Sequence, residues 1–224
     1  MAEVKQVSVA DKLYDSIADL SDRIMKLPFG AVVKKKYDPV RYAASQYKAY
    51  LDKFGYARPA EDKGKKLLFL GMNPGAIAAI SGVPFGEEEF VQKELGIVCS
   101  DVGRPAEADP DKKKDLKPKA TSKESARLWE LLLELFNILM TNPSLTIPKK
   151  DRVADCPLQT ECDKTLLKVV ELLGVTDIVA VGTYAERAAE RAVKRSEKPT
   201  VNEVEVTEFR LKFLTPSLMG ELFK

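Results

Sequence analysis

The chain has 224 residues, 45% hydrophobic and 31% charged, with a net charge of +2. That length fits one medium domain with a single sizeable core; the composition is too apolar for disorder, and the charge sets up no global field that would demand a nucleic-acid partner. The sequence contains no histidine, which excludes imidazole as base, electrophile or metal ligand, and with it Ser-His-Asp and Cys-His catalysis.

The first stretch, MAEVKQVSVADK, lacks the apolar core of a signal peptide, and no apolar run approaches the roughly 20 residues that span a bilayer, so an intracellular protein with no membrane partner is expected. Residues 1–60 read as a helical lead-in. Leu13, Ile17, Leu20, Ile24 and Leu27 recur at spacings of three and four and predict an amphipathic helix over 9–27, ended by Pro28-Phe29-Gly30. A second helix over 40–54 opens after Asp38-Pro39 and closes at Gly55. Leu67-Leu68-Phe69-Leu70 is short and continuously apolar, the pattern of a strand buried on both faces of a parallel sheet. Glu87 to Leu95 reads as a short helix. Residues 99–120 are polar, charged and proline-containing, an exposed loop. Thr121-Ser122-Lys123-Glu124 has the spacing of a capping box before a helix from Ala126 to Met140, whose Trp129 reads as core. With Pro143, Pro148 and Pro157, residues 141–157 are assigned no regular element. Cys162 to Leu173 is helical, Val175 to Val181 a second buried strand, and Tyr184 to Arg195 a helix. Val201 to Val206 alternates, and Phe209 to Leu214 is predicted as the third strand of the sheet.

Strands alternating with helices after a helical start give an α/β fold with a small, mostly parallel central sheet flanked by helices, expected as one domain over 1–224. Ligands of such sheets sit at the carboxyl ends of the strands. Three segments leave that edge: Gly71 to Gly75, Gly182-Thr183-Tyr184, and Thr215-Pro216-Ser217. Lysines cluster at 34–36, 111–119 and 149–152 and could touch phosphates, although solvated loops look the same. Cys99, Cys156 and Cys162, odd in number and irregularly spaced, read as reduced thiols rather than a disulfide framework or zinc site. Glu186, Arg187, Glu190 and Arg191 read as a solvated ion-pair face.

The richest loop is 71-GMNPGAIAAISGVPFG-86. It lacks the G-x-G-x-x-G of a dinucleotide site and the Gly-Lys-Ser/Thr of a phosphate loop, so no cofactor is expected. Its glycines let the backbone approach a ligand closely. Asn73 could orient a water or bind an amide-like edge, and Phe85 could stack on a flat ring. A tight turn with a buried Phe would show the same spacing. No metal site is expected; Glu87 is the one carboxylate considered for activating water.

GMNPG followed by SGVPFGEEEFVQKELGIV closely resembles the single-strand-selective monofunctional uracil-DNA glycosylases, a branch of the uracil-DNA glycosylase superfamily. Residues 37–55, 125–136 and 173–193 resemble other parts of that family, so the likeness spans most of the chain. The resemblance implies a base-excision repair fold that flips uracil out of DNA, stacks it on Phe85, reads its edge with an Asn, and lets water positioned by Asn73 attack the sugar carbon. Gly71, Met72, Gly75 and Ser217 would line the substrate site. Thr215 stands where the family carries a charge-stabilising histidine.

Two further departures stand out: the family's second strand, with its base-reading Asn, is expected to be missing in a reduced sheet, with Asn137 and Asn142 nearby but in no recognisable motif. The DNA-penetrating wedge is replaced by Ser217-Leu218-Met219-Gly220. The expectation is therefore a catalytically impaired or inactive descendant serving as a nucleic-acid-binding or protein-interaction module, intracellular and nuclear. The partner would be single-stranded or duplex nucleic acid, or a protein; the alternative is an active uracil-DNA glycosylase.

Overall fold

In the computed structural model the described residues are 7–28, 38–56, 66–71, 81–86, 88–99, 139–141, 157–198 and 203–209. Helix α1 spans Val9–Lys26 and begins in a capping box: the Ser8 hydroxyl accepts from the Asp11 amide at 3.0 Å, and the Asp11 carboxylate accepts from the Ser8 amide at 3.3 Å. Its buried stripe contains Leu13, Ile17, Leu20 and Ile24, four of the five residues whose spacing predicts the helix. The helix expected over 40–54 is instead two, α2 (Pro39–Tyr42) and α3 (Ala44–Phe54), broken at Ala43, whose φ of −115° and ψ of 35° leave the helical region. Strand β1 is Leu67–Leu70 and helix α4 is Glu88–Lys93. They are followed by β2 (Leu139–Thr141), α5 (Pro157–Leu173), β3 (Asp177–Val181), α6 (Thr183–Lys194) and β4 (Glu205–Phe209).

The four strands form one parallel sheet in the order β2-β1-β3-β4. Leu70, the last residue of β1, pairs with Thr141, the last of β2, and with Ala180 of β3. Val181, ending β3, pairs with Phe209, ending β4. All four carboxyl ends therefore lie on one edge, with β1 central. Leu68, Phe69, Ile178, Val179 and Ala180 are buried at 1% exposure or less, which matches their continuous apolar run. They share one core with side chains of α1, α3, α4, α5 and α6.

Three expectations are corrected. The second strand is present: Leu139 and Met140, read as the end of the Trp129 helix, belong to β2. A short apolar run is ambiguous between helix and buried strand, and here the parallel pairing with β1 decides. The helix expected from Cys162 starts at Pro157, because proline suits the first helical position and Leu158 packs against Leu20 and Ile24 of α1. The last described strand starts at Glu205, ahead of the Phe209 expected for it, and is described as far as Phe209. Its half-buried Val206 between exposed Glu205 and Thr207 continues the alternation that begins before it. Residues 210–214, the capping box at 121–124, Trp129, the three lysine clusters and all of the 99–120 loop except Cys99 lie outside the described residues.

Two ion-pair groups tie the helices together. Arg23 of α1 donates to Glu161 of α5 at 2.7 Å and to Thr165 at 3.3 Å, while Lys164 holds the other Glu161 oxygen at 2.9 Å. Between α5 and α6, the buried Asp163 accepts two parallel bonds from Arg191, each 2.8 Å, and one from Arg195 at 3.3 Å. Arg191 thus turns inward, contrary to the solvated face expected for it; Glu190 pairs outward with Lys194 at 3.7 Å.

Candidate active site at the carboxyl edge of the sheet

Of the residues singled out from sequence, Gly71 and Phe85 lie among the described residues. Met72, Asn73, Gly75, Glu87, Thr215 and Ser217 do not. Gly71 follows β1 directly, at the centre of the carboxyl edge where a parallel sheet binds its ligands.

Phe85 sits in a tight turn over Val83-Pro84-Phe85-Gly86, closed by the Gly86 amide donating to the Val83 carbonyl at 2.9 Å. Pro84 occupies the second position of that turn and Phe85 the third, with φ +55°. This is the pattern of a type II turn, whose third position ordinarily takes glycine. Phe85 is the one non-glycine residue with positive φ among the described residues, and its half-buried ring packs on the core. Glycines flank it where the chain is crowded. A Cβ on Gly82, at φ +73°, would stand 2.4 Å from the Ala43 Cβ; one on Gly86 would stand 2.6 Å from Val91 Cγ2.

A cavity of about 50 Å³ opens beside the end of β1, between the N-terminal halves of α5 and α6. Leu70, Gly71, Cys162 and Tyr184 help line it, and the Asp163–Arg191 pair forms its polar wall. Phe85 is not part of its lining. The hydrogen bonds that Arg191 donates to Asp163 raise its pKa, against the lowering effect of burial. Helix α6 begins immediately after β3 at Gly182, φ +89°, with no side chain capping it. Cys99 is buried and Cys162 half-buried, and neither forms a disulfide among the described residues; burial, with the Glu88 charge, pushes Cys99 up to about 11. Cys156 lies outside the described residues.

One described residue beside Phe85 carries no mark in the sequence pattern beyond its position. Ser81 is fully buried and bonded to both ends of the Phe85 turn. A small polar residue immediately before Gly-Val-Pro-Phe-Gly was its only signal. Asn142 follows Thr141 in the sequence and lies outside the described residues.

The profile of the uracil DNA glycosylase superfamily matches residues 59–218. The chain is similar to the single-strand selective monofunctional uracil-DNA glycosylase of Rattus norvegicus, 31% identical over 209 residues that cover 83% of this chain and 72% of the relative. It is also similar to that of Bos taurus, 29% identical over 214 residues covering 83% and 74%. Among solved structures, wild-type SMUG2 of Pedobacter heparinus superposes with a TM-score of 0.56 over 96% of this chain and 92% of that one, at 15% identity. No described helix is long and apolar enough to cross a membrane. The sequence motifs, the parallel sheet and these likenesses agree: the chain belongs to the uracil-DNA glycosylase superfamily, with the single-strand selective monofunctional branch as its kin.

Proposed function

We propose that the protein recognises uracil flipped out of DNA and excises it slowly. Phe85 stacks on the base, Asn142 reads its edge, Asn73 positions the attacking water, and Thr215 stands at the place of the absent histidine. The observation that carries this reading is the register of β2 on β1, which ends both strands level at Leu70 and Thr141. Gly71, which precedes Met72 and Asn73 in the sequence, and Thr141, which precedes Asn142, therefore stand at one sheet edge at the ends of adjacent strands. The expectation of an inactive descendant leaned on a missing second strand, and that support falls with β2.

The chemistry needs no metal or cofactor. As the bond between sugar and base breaks, negative charge develops on the departing uracil, and water held by the Asn73 amide adds to the sugar carbon. Loss of a preorganised donor to such a charge costs about 10²–10³ in rate. A threonine hydroxyl can donate one hydrogen bond but carries no positive charge, so excision is slow while recognition persists. A second reading, a nucleic-acid-binding protein without chemistry, is favoured by the absence of histidine throughout the chain.

Excision from a fluorescent single-stranded oligonucleotide with one uracil, under excess protein, tests the proposal. Asn73→Ala and Asn142→Ala serve as controls, and gel shifts are read on the same samples. Cleavage lost in both variants supports the proposal. Binding without cleavage selects the second reading, and neither activity sends the search to protein partners.

A further inference from the structure

We propose that Ser81 is a positioning residue that locks the Phe85 ring in place, an inference that rests on reading Phe85 as the base-stacking ring. Ser81 is 0% exposed. Its hydroxyl oxygen accepts from the Val83 amide at 3.1 Å, and the hydroxyl donates to the Gly86 carbonyl at 3.0 Å. One side chain thus grips the first and the last residue of the four-residue turn, whose own closing bond joins Gly86 to Val83 at 2.9 Å.

A turn needs such a grip when its preferred residue is missing. Glycine would adopt φ +55° freely at the third position, whereas a phenylalanine there is strained and tends to relax toward negative φ. Relaxation would swing the ring away, because φ sets the direction of the Cα–Cβ bond relative to the incoming chain. Strained residues persist only where their surroundings over-determine them. Ser81 supplies that constraint from within. From outside, Gly82 abuts Ala43 at the break between α2 and α3, and Gly86 abuts Val91 of α4. Ser81 is the member of this set that acts through removable hydrogen bonds, so it can be tested without disturbing helix packing.

The test compares wild type with Ser81→Ala and Ser81→Thr, each alone and in a Phe85→Leu background, after urea unfolding has confirmed that each variant is folded. A ring displaced by about 1 Å costs up to about a hundredfold in rate, so Ser81→Ala is expected to lower kcat/KM on uracil-bearing single strands about tenfold. The hydroxyl of Ser81→Thr should recover most of that loss. In the Phe85→Leu background Ser81→Ala should change little, since its effect passes through the ring. Equal losses in both backgrounds overturn the inference, because Ser81 would then support the fold alone. A second arm is independent of activity: the Phe85 Cα and Cβ chemical shifts, which report left-handed φ, should move toward negative-φ values in Ser81→Ala. Unchanged shifts overturn the inference. If wild-type protein neither binds nor cleaves uracil DNA, the functional reading fails and this second arm alone decides whether Ser81 holds the turn.

Discussion

Replacing Gly82 by alanine should destabilise the protein well beyond the usual cost of that change, because two penalties coincide there. At φ +73° an L-residue pays roughly 1–2 kcal/mol, of which a stiffer unfolded chain returns about 0.4–1 kcal/mol. The new Cβ would also stand 2.4 Å from the Ala43 Cβ, 3.2 Å from the Ala43 carbonyl oxygen and 3.5 Å from that of Pro39. Backbone on two sides cannot yield like a flexible side chain, and overpacking of this kind costs about 1–3 kcal/mol. The sum is about 1–4.5 kcal/mol. Gly96 provides the internal control: its φ is +64°, yet a Cβ there meets nothing within 4 Å, so Gly96→Ala should show the conformational cost alone, about 1 kcal/mol or less. At about 2–4 °C per kcal/mol for a chain of this size, calorimetry should separate the two melting temperatures by several degrees, and urea unfolding should give the same ranking. Ala43→Gly removes the opposing Cβ, so the double variant Ala43→Gly/Gly82→Ala should be more stable than the two single costs added together. A Gly82→Ala protein no less stable than Gly96→Ala, or a strictly additive double variant, refutes the claim that Gly82 is a contact point between the Phe85 turn and the break at Ala43.

Asp163→Ala removes the carboxylate that faces Arg191 and Arg195. It should cost about 3 kcal/mol in urea unfolding, the low end for a broken buried pair because the Arg191 side chain keeps 24% exposure; a loss below about 1 kcal/mol would show the pair to be surface-like. Glu161 titrates below its ordinary 4.5, held down first by its hydrogen bond from Lys164 and also by Arg23. A lowered folded pKa gives stability that is present above 4.5 and lost as pH falls through the folded value. The urea midpoint of wild type should therefore drop more on acidification than that of Glu161→Gln, and parallel curves would count against the latch between α1 and α5. Phe85→Gly should be more stable than Phe85→Ala by about 0.5–1 kcal/mol, since both lose the ring but only glycine relaxes at φ +55°; the reverse order in thermal unfolding would deny the strain. Thr215→His should raise uracil excision at least about tenfold if the missing imidazole limits the rate, and an unchanged rate would place the limit elsewhere.

The long, strongly patterned elements were legible in the sequence. The α1 stripe has a period that only a helix satisfies, and β1 and β3 are apolar runs bounded by Lys66, Gly71 and Gly182, short enough to be strands. What failed were the places where local pattern and tertiary contact disagree. Leu139 and Met140 extend a leucine-rich helical pattern without a break, and only the hydrogen bonds of β1 draw them into the sheet. Pro157 looks like a stop when the chain is read from the N-terminal side, yet it suits a helix start, and Leu158 beyond it finds its partners on α1, more than a hundred residues away. Arg191 carries no mark that distinguishes it from Arg187. Its inward turn depends on Asp163 on the neighbouring helix, which no window along one helix can contain.

Phe85 is the instructive case, because there the local rule was visible and the molecule departs from it. A Pro-Phe-Gly sequence asks for a turn, and turn chemistry would place glycine, not phenylalanine, at positive φ. Protein sequences tend to agree with themselves at every level, and departures concentrate where function sets the requirement. Here the departure is surrounded by its own supports: a buried serine bonded to both ends of the turn, and two glycines whose missing Cβ atoms let the chain press against Ala43 and Val91. A chain that needed only a tight turn would gain by placing glycine at 85 and could dispense with Ser81. Retaining the strained residue together with the parts that hold it fits a ring whose direction matters, and it is the strongest structural reason to look for base recognition in this chain before looking for a partner protein.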